Sequence, residues 1–346
     1  MKFKTKLNKM LLLSTMSFSA IPFFISAGCS NQQAAKTTTP AEPIKEDEKD
    51  KNDSGKQNNA FDSRLVYDST NNYYAPAQGK RGAELWEALF AIQQAKRTQI
   101  GNNYGQLYDI YKNVYLDKFF EKDNTILDIY SEIPDGQDPY EFVFENHEGN
   151  ASDGSGVARE GKTAKEEGYM YNREHMIPQS WFNKEPITRS DPHFVLPTDK
   201  LVNNRRDNKP HFVVENPTWT SLNGTKIDST FAEPIDVFKG DTARIYFYFQ
   251  LTHKNANNPK SEAKNVFKDV FPYFTDQFLT VYKQWDKQDE VDQIEVYRNK
   301  QIAAYYTTND RIGLRNPFID YPNLPELIWG EGNETFVDRG VLIDIK

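Results

Sequence analysis

Glu174 and His175 sit side by side in YNREHMIPQSWF, and the run VNNRRDN begins at Val202, so that Asn203 follows His175 by 28 positions. These residue types can break a phosphodiester. Such a bond resists hydrolysis because its negative charge repels a nucleophile. Cleavage needs a base to deprotonate water and a cation to absorb charge on the phosphate and the leaving oxygen. His175 is the candidate base. Glu174 and Asn203 offer hard oxygen ligands, which suit Mg²⁺, with Mn²⁺ or Ca²⁺ as alternatives. Two protein ligands leave coordination positions for waters and a phosphate oxygen. Arg173, Arg205 and Arg206 add guanidinium groups that can hold phosphate oxygens bidentately. The competing reading of Glu174 and His175 is a structural ion pair. A zinc protease is disfavoured, because Glu174-His175 lacks the second histidine of HExxH.

YNREHMIPQSWF, RSDPHFVLPTD and VNNRRDN, in this order, resemble the signature of the bacterial endonuclease I family. FAEPIDVFKGDTARIYFYF (Phe231 to Phe249) and RNPFIDYPNLPELIW (Arg315 to Trp329) resemble further blocks of it, so the likeness runs roughly from Gly79 to Trp329. It implies an α+β fold with a ββα-metal core, in which a histidine from a strand and loop faces an asparagine on a helix. It also implies His175 as general base, Glu174 and Asn203 as metal ligands, Arg206 as the arginine of the helix motif, and products with 5′-phosphates. DNA is the expected substrate, with RNA as a second, and no protein partner is expected. Some members carry an arginine for the product phosphate in an insertion between the two halves. Here the spacer Phe182 to Ser190 is short, and Arg173, Arg189 and Arg205 are the candidates.

The elements around these residues can be read from pattern. Pro178 stops any helix at Glu174-His175, which places the pair on a strand end or ordered loop. Adjacent strand residues face opposite ways, so the two must divide the work of base and ligand unless the backbone bends. Pro197 to Asp207 reads as a helix, with Pro197 in its first turn and Asp199 near its positive end. Asn203 and Arg206 are then three apart and share a face. Asn in a helix interior is intrinsically unfavourable, which favours a ligand role over a surface amide.

Gly79 to Arg97 carries Leu85, Leu89 and Ile92 at helical spacing, and Tyr104 to Phe120 carries tyrosines 104, 108, 111 and 115. The tyrosine stripe reads as core packing rather than a base-stacking face. Thr125 to Ser131 and Tyr140 to Phe144 read as strands. His147 to Glu167 reads as a surface loop with His147 exposed. Lys239 to Lys254, Phe274 to Trp285 and Val291 to Tyr305 read as helices, with Pro272 suiting the first turn of the second. RNPFIDYP caps them. His193 reads either as a hydrogen-bonding support of the site or as a satisfied core histidine. Asp191 reads as structural, and His211 and His253 have no distinctive context.

Charge gives a mixed signal. The chain of 346 residues carries a formal charge of −8, and duplex affinity comes largely from phosphate neutralisation. Yet Asn172 to Phe212 holds seven Lys/Arg and five acids, a positive stretch in an acidic protein. Met1 to Gly28 has the form of a secretion signal: four lysines, an apolar run from Met10 to Ile25, and SAGCS at its end. Removing its lysines takes the charge to −12. Cys29 is the single cysteine, so no intramolecular disulfide can form. Its place after small residues resembles a lipoprotein box, and two or more acyl chains would give stable membrane attachment. Residues 29–60 are too poor in apolar groups to offset the entropy of ordering, and read as a tether. Residues 61–346 read as the catalytic domain. The resulting expectation is a lipid-anchored extracellular nuclease. The rivals are a solute-binding lipoprotein and a nucleic-acid-binding adhesin that does not cut.

Overall fold

Two antiparallel strands and the short helix that follows them position the candidate residues, and the helices of the rest of the chain pack around this unit. The structure is a computed structural model that describes residues 62–149, 156–308 and 312–346. In chain order the regular elements are β1 (Leu65–Asp68), α1 (Gly82–Arg97), α2 (Gln106–Val114), β2 (Tyr171–His175), β3 (Val195–Asp199), α3 (Lys200–Arg206), β4 (Trp219–Thr220), β5 (Lys226–Ile227), β6 (Ala232–Glu233), α4 (Lys239–His253), α5 (Asp276–Gln288), α6 (Gln293–Tyr306), α7 (Pro317–Asp320), α8 (Leu324–Trp329) and β7 (Val341–Ile345). The class is α+β. The strands form three small sheets, β1–β7, β2–β3 and β4–β5–β6.

α4 is the centre of the packing. Every residue from Gly240 to His253 is buried, as expected for a helix that is apolar or paired all round. Phe247 meets Phe274, Phe318 and Trp329, with ring centroids 5.7, 5.2 and 5.0 Å away. The expected capping segment is therefore α7 and α8 laid on α4. The buried Arg244 on α4 is offset by Glu295 and Asp286. On α2, Leu107, Tyr108, Ile110, Tyr111 and Val114 are buried, and the tyrosine stripe is core except at Tyr104, which is half-buried on the cavity wall. Its hydroxyls also do specific work. Tyr111 donates to the Val195 carbonyl at 2.9 Å, Tyr108 to the Glu148 carbonyl at 2.9 Å, and Tyr115 to the Pro192 carbonyl. α2 thereby holds the segments that carry the site.

Several expectations give way. Thr125 to Ser131 and Tyr140 to Phe144 are not strands. Asp128 takes over the local hydrogen bonding, its carboxylate accepting from the Tyr130 N–H and its carbonyl from the N–H of Ser131 and Glu132. The chain therefore turns where a strand would continue. The two segments still touch through one backbone bond, Ile126 N–H to the Phe142 carbonyl at 2.8 Å. Pro197 lies in β3, and α3 begins at Lys200 because Asp199 caps it. Pro272 precedes the helix it was expected to open, whose N-cap is Thr275. His147 is fully buried, stacked on Tyr108 at 4.4 Å, because a parallel bridge to Tyr171 draws it into the core. The signal, the tether and Cys29 lie outside the described residues. Among the described residues no helix is long and apolar enough to cross a membrane.

Candidate active site

β2 and β3 run antiparallel with Tyr171 opposite Asp199 and His175 opposite Val195. The direct passage from β3 into α3 depends on Asp199. One of its carboxylate oxygens accepts from the N–H groups of Leu201 and Val202 at 2.7 and 3.0 Å, and the other from Gly168 at 2.7 Å. This satisfies N–H groups that a helix start leaves without partners. Gly168 has φ +79°, and a Cβ there would meet Tyr140 and Arg159 within 3.0 Å, so the close approach requires glycine. Beyond Arg206 the helix ends at Asp207, whose φ is +54°.

A cavity of about 470 Å³ opens beside this unit, and Asn172, Arg173, Glu174, His175, Asn203 and Arg206 all line it. The strand alternation divides them. Glu174 and Asn172 turn toward α3, where Asn203 Nδ2 donates to Asn172 Oδ1 at 2.7 Å and Arg206 meets Glu174. Arg173 and His175 turn the other way, toward Tyr104.

Glu174 is buried, and its Oε1 accepts from the Tyr130 hydroxyl at 2.9 Å and lies 3.3 Å from Arg206 Nη1. Burial raises the pKa of its carboxyl, against the opposing pull of Arg206 and Tyr130. Tyr130 is in turn 3.2 Å from His211 Nε2, and His211 Nδ1 is 3.3 Å from the Tyr246 hydroxyl. Asn203 has its amide orientation set. Its nitrogen is committed to Asn172, whose own nitrogen donates to Glu148 Oε2 at 3.2 Å. That leaves Asn203 Oδ1 as the available ligand atom. A carboxylate oxygen and an amide oxygen on one cavity wall form a hard-oxygen donor set of the kind Mg²⁺ or Mn²⁺ takes, with room for water in the remaining positions.

His175 is held on the loop side. Its Nε2 lies 3.0 Å from the Arg189 carbonyl. A carbonyl only accepts, so Nε2 carries the hydrogen and Nδ1 the lone pair. Burial pushes its pKa down to about 3, so the ring is neutral at pH 7. Tyr104 is sandwiched by two guanidiniums, Arg173 at 3.7 Å and Arg189 at 4.0 Å from its ring centroid. The loop bearing Arg189 is fixed from behind. Asp191 Oδ2 accepts from Tyr248 at 2.6 Å and from His253 Nε2 at 2.7 Å, and Arg97 reaches Thr188 Oγ1 at 2.8 Å.

The arginines are not placed as their sequence position suggested. Arg173 lines the cavity. Arg205 is exposed and lies 5.8 Å from the Trp219 ring, off the cavity wall. Arg206 is buried and donates to the carbonyls of His175 and Met176. In place of the phosphate contact expected of Arg206, the contacts the structure gives its two Nη groups are those of a brace, two carbonyls and Glu174. His193 is a core histidine in its contacts. It is buried against Tyr248, with Nε2 3.0 Å from the Leu314 carbonyl. Asn172, Glu148, Tyr130 and Tyr104 were not foreseen. Asn172 alone carried a signal, two positions before Glu174 and so on the same strand face.

One further group of carboxylates among the described residues could hold a metal ion, namely Asp117, Glu121 and Glu132. None of them lines this cavity.

Residues 83–323 match the family model described as Endonuclease I. The chain is 28% identical over 264 residues to an extracellular ribonuclease of Bacillus amyloliquefaciens, covering 75% of this chain and 78% of that one. It is likewise 28% identical over 267 residues to an extracellular ribonuclease of Bacillus subtilis (strain 168), covering 76% and 80%.

Proposed function

This chain belongs to the endonuclease I family of metal-binding nucleases acting on nucleic acids, and we propose that it is a Mg²⁺-dependent endonuclease cleaving RNA and DNA with little regard for sequence. The observation that carries the proposal is that a neutral His175, held through Nε2 by the Arg189 carbonyl, lines one cavity with the candidate oxygen ligands Glu174 and Asn203. The extracellular ribonucleases it resembles support RNA as a substrate. Low sequence preference follows if the protein reads the backbone rather than the bases.

His175 Nδ1 takes the proton from the attacking water, and the Arg189 carbonyl keeps the ring in the tautomer that can do so. When bound between Glu174 and Asn203, the cation supplies neutralisation of the phosphate and the leaving 3′ oxygen. Arg173, which lines the cavity, holds phosphate oxygens, with Arg189, whose guanidinium lies against the same Tyr104 ring but off the cavity lining, as the second candidate. Departure of the 3′ oxygen leaves a 5′-phosphate product. The test is incubation of the purified chain with plasmid DNA and with RNA, in Mg²⁺ or in EDTA, with end-labelling of the products. Metal-dependent cleavage leaving 5′-phosphates is expected. Binding without cleavage would favour the adhesin reading.

The same proposal includes attachment to a membrane through acylated Cys29, at the extracellular face. It rests on SAGCS after an apolar run in a chain with no other thiol. Cys29→Ser should move the protein from the detergent phase to the aqueous phase and stop incorporation of labelled fatty acid. Retention in the detergent phase would point to an uncleaved N-terminal segment instead.

A further inference from the structure

We propose that Asp117, Glu121 and Glu132 hold a calcium ion at a second site, separate from the catalytic cavity, and that this ion secures the segment from which Tyr130 reaches Glu174. Oxygens of the three carboxylates lie within 4.8 Å of one another. Such a spread fits oxygens ringing an ion at the ~2.3–2.6 Å typical of Ca²⁺, whose geometry tolerates irregular ligand sets better than that of Mg²⁺.

Glu132 is the observation that asks for a ligand. It is 1% exposed, and its Oε1 is buried with no hydrogen-bond partner. A buried carboxylate is normally paired or hydrogen-bonded, and an orphan one is costly. A divalent cation supplies the missing partner, and it neutralises the three clustered carboxylates.

The three residues differ in what they can give. Glu121 is exposed, so the site has a path to solvent. Asp117 gives each of its oxygens to two backbone N–H groups, those of Phe119 and Phe120 and those of Glu121 and Lys122. It contributes charge and a third contact on one oxygen, and it fixes the turn that brings Glu121 back. Glu132 ends the short segment that begins with Asp128, whose Oδ2 accepts from the Asp199 N–H at 2.9 Å and whose neighbour Tyr130 donates to Glu174. An ion at Glu132 therefore ties the turn after α2 to the segment supporting both the start of α3 and the catalytic carboxylate.

The test is thermal unfolding of the full chain, stripped with EDTA and titrated with Ca²⁺ or with Mg²⁺, for wild type, Asn203→Ala, Glu132→Gln and Glu121→Gln. Calcium should raise the unfolding midpoint of wild type and of Asn203→Ala alike, with half-effect in the ~0.1–1 mM range of weaker calcium modules. Glu132→Gln should lose the response. Glu121→Gln, changed on the exposed side where folding is not at risk, should need at least about threefold more Ca²⁺, as loss of one charged ligand lowers occupancy by mass action. A wild-type calcium response in Glu132→Gln, or an unchanged Ca²⁺ midpoint in Glu121→Gln, overturns the site. A response lost in Asn203→Ala assigns the effect to the catalytic cavity, and an equal response to Mg²⁺ overturns the choice of ion.

Discussion

Arg206 Nη1 lies 3.3 Å from Glu174 Oε1, and both side chains are 1% exposed. The guanidinium of the helix-motif arginine is thus engaged with the carboxylate and the strand. It also donates to the carbonyls of His175 and Met176, so one guanidinium holds α3 against the end of β2. Removing one partner of a buried pair leaves the other uncompensated, at a cost of about 3–5 kcal/mol. Arg206→Ala should therefore lower stability by roughly that amount, measured by denaturant unfolding. The salt dependence of nucleic-acid binding should stay as in wild type. A fully stable variant with a shallower salt slope would return Arg206 to the phosphate-binding role.

His175→Ala should cut the rate by ~10²–10⁴, the usual contribution of a general base. Nucleic-acid affinity and the Mg²⁺ midpoint should be preserved, because the ligand side of β2 is left intact. Single-turnover cleavage beside a binding measurement checks this. A rate within threefold of wild type would remove His175 from the chemistry.

Asn203→Ala should weaken activation by Mg²⁺ and be partly rescued at raised Mg²⁺, since occupancy of a weakened site responds to mass action. Asn172→Ala should act in the same direction but less strongly. It takes no part as a ligand and only fixes the Asn203 amide through the 2.7 Å bond. Cleavage rate against Mg²⁺ concentration separates the two. If Asn172→Ala shifts the midpoint further than Asn203→Ala, their roles are exchanged.

Arg173→Ala and Arg189→Ala should each reduce affinity for nucleic acid and lower the salt slope of binding by about one, as loss of a phosphate contact does. Tyr104→Leu should weaken binding through both arginines at once, because its ring is the platform on which the two guanidiniums lie. Binding isotherms at several salt concentrations give the slopes. An unaltered slope in Arg189→Ala would limit that residue to holding His175 through its carbonyl.

The β2–β3–α3 unit was legible because its chemistry is local. Glu174-His175 before a proline and Asn203 inside a polar helix are visible as types at a spacing. The arginines were not, because Arg205 and Arg206 are the same letter and only the helix rotation decides that one faces Trp219 and the other Glu174. Similar blindness hid Tyr130, 44 residues before Glu174, which reaches it only because Asp128 turns the chain. The failed strands at 125–131 and 140–144 share that cause. Alternating apolar residues report which side chains are buried, and Ile126, Ile129 and Tyr130 are buried, but a side-chain carboxylate had taken the backbone hydrogen bonds a strand would need. His147 was misread because nothing near it in sequence shows that the chain returns beside Tyr171.

His253 provides a pH test of the loop that carries Arg189. Its Nε2 donates to Asp191 Oδ2 at 2.7 Å, while its Nδ1 faces Arg97 Nε at 3.0 Å and Thr188 Oγ1 at 3.1 Å. The arginine nitrogen can only donate, so Nδ1 is unprotonated and the ring is neutral. The direction of its pKa agrees, since burial lowers it despite the pull of Asp191. For Asp191 burial opposes the charge, but the bonds from His253 and Tyr248 bring its pKa below the ordinary value. The two groups therefore act in different windows. The histidine's contribution to stability is complete above its unfolded value near ~6.5 and is lost as the pH falls below it, because the unfolded chain takes up the proton first. The aspartate's contribution is complete above its unfolded value near ~3.9 and is lost only as the pH falls further. Between pH 7 and pH 5 only the histidine responds. His253→Gln should consequently lose less stability than wild type over that interval, whatever its stability at pH 7. Denaturant midpoints of the two proteins at both pH values measure the difference. An equal loss in both would mean that His253 takes up its proton without unfolding, and that the Asp191–His253 pair holds the loop in charged form.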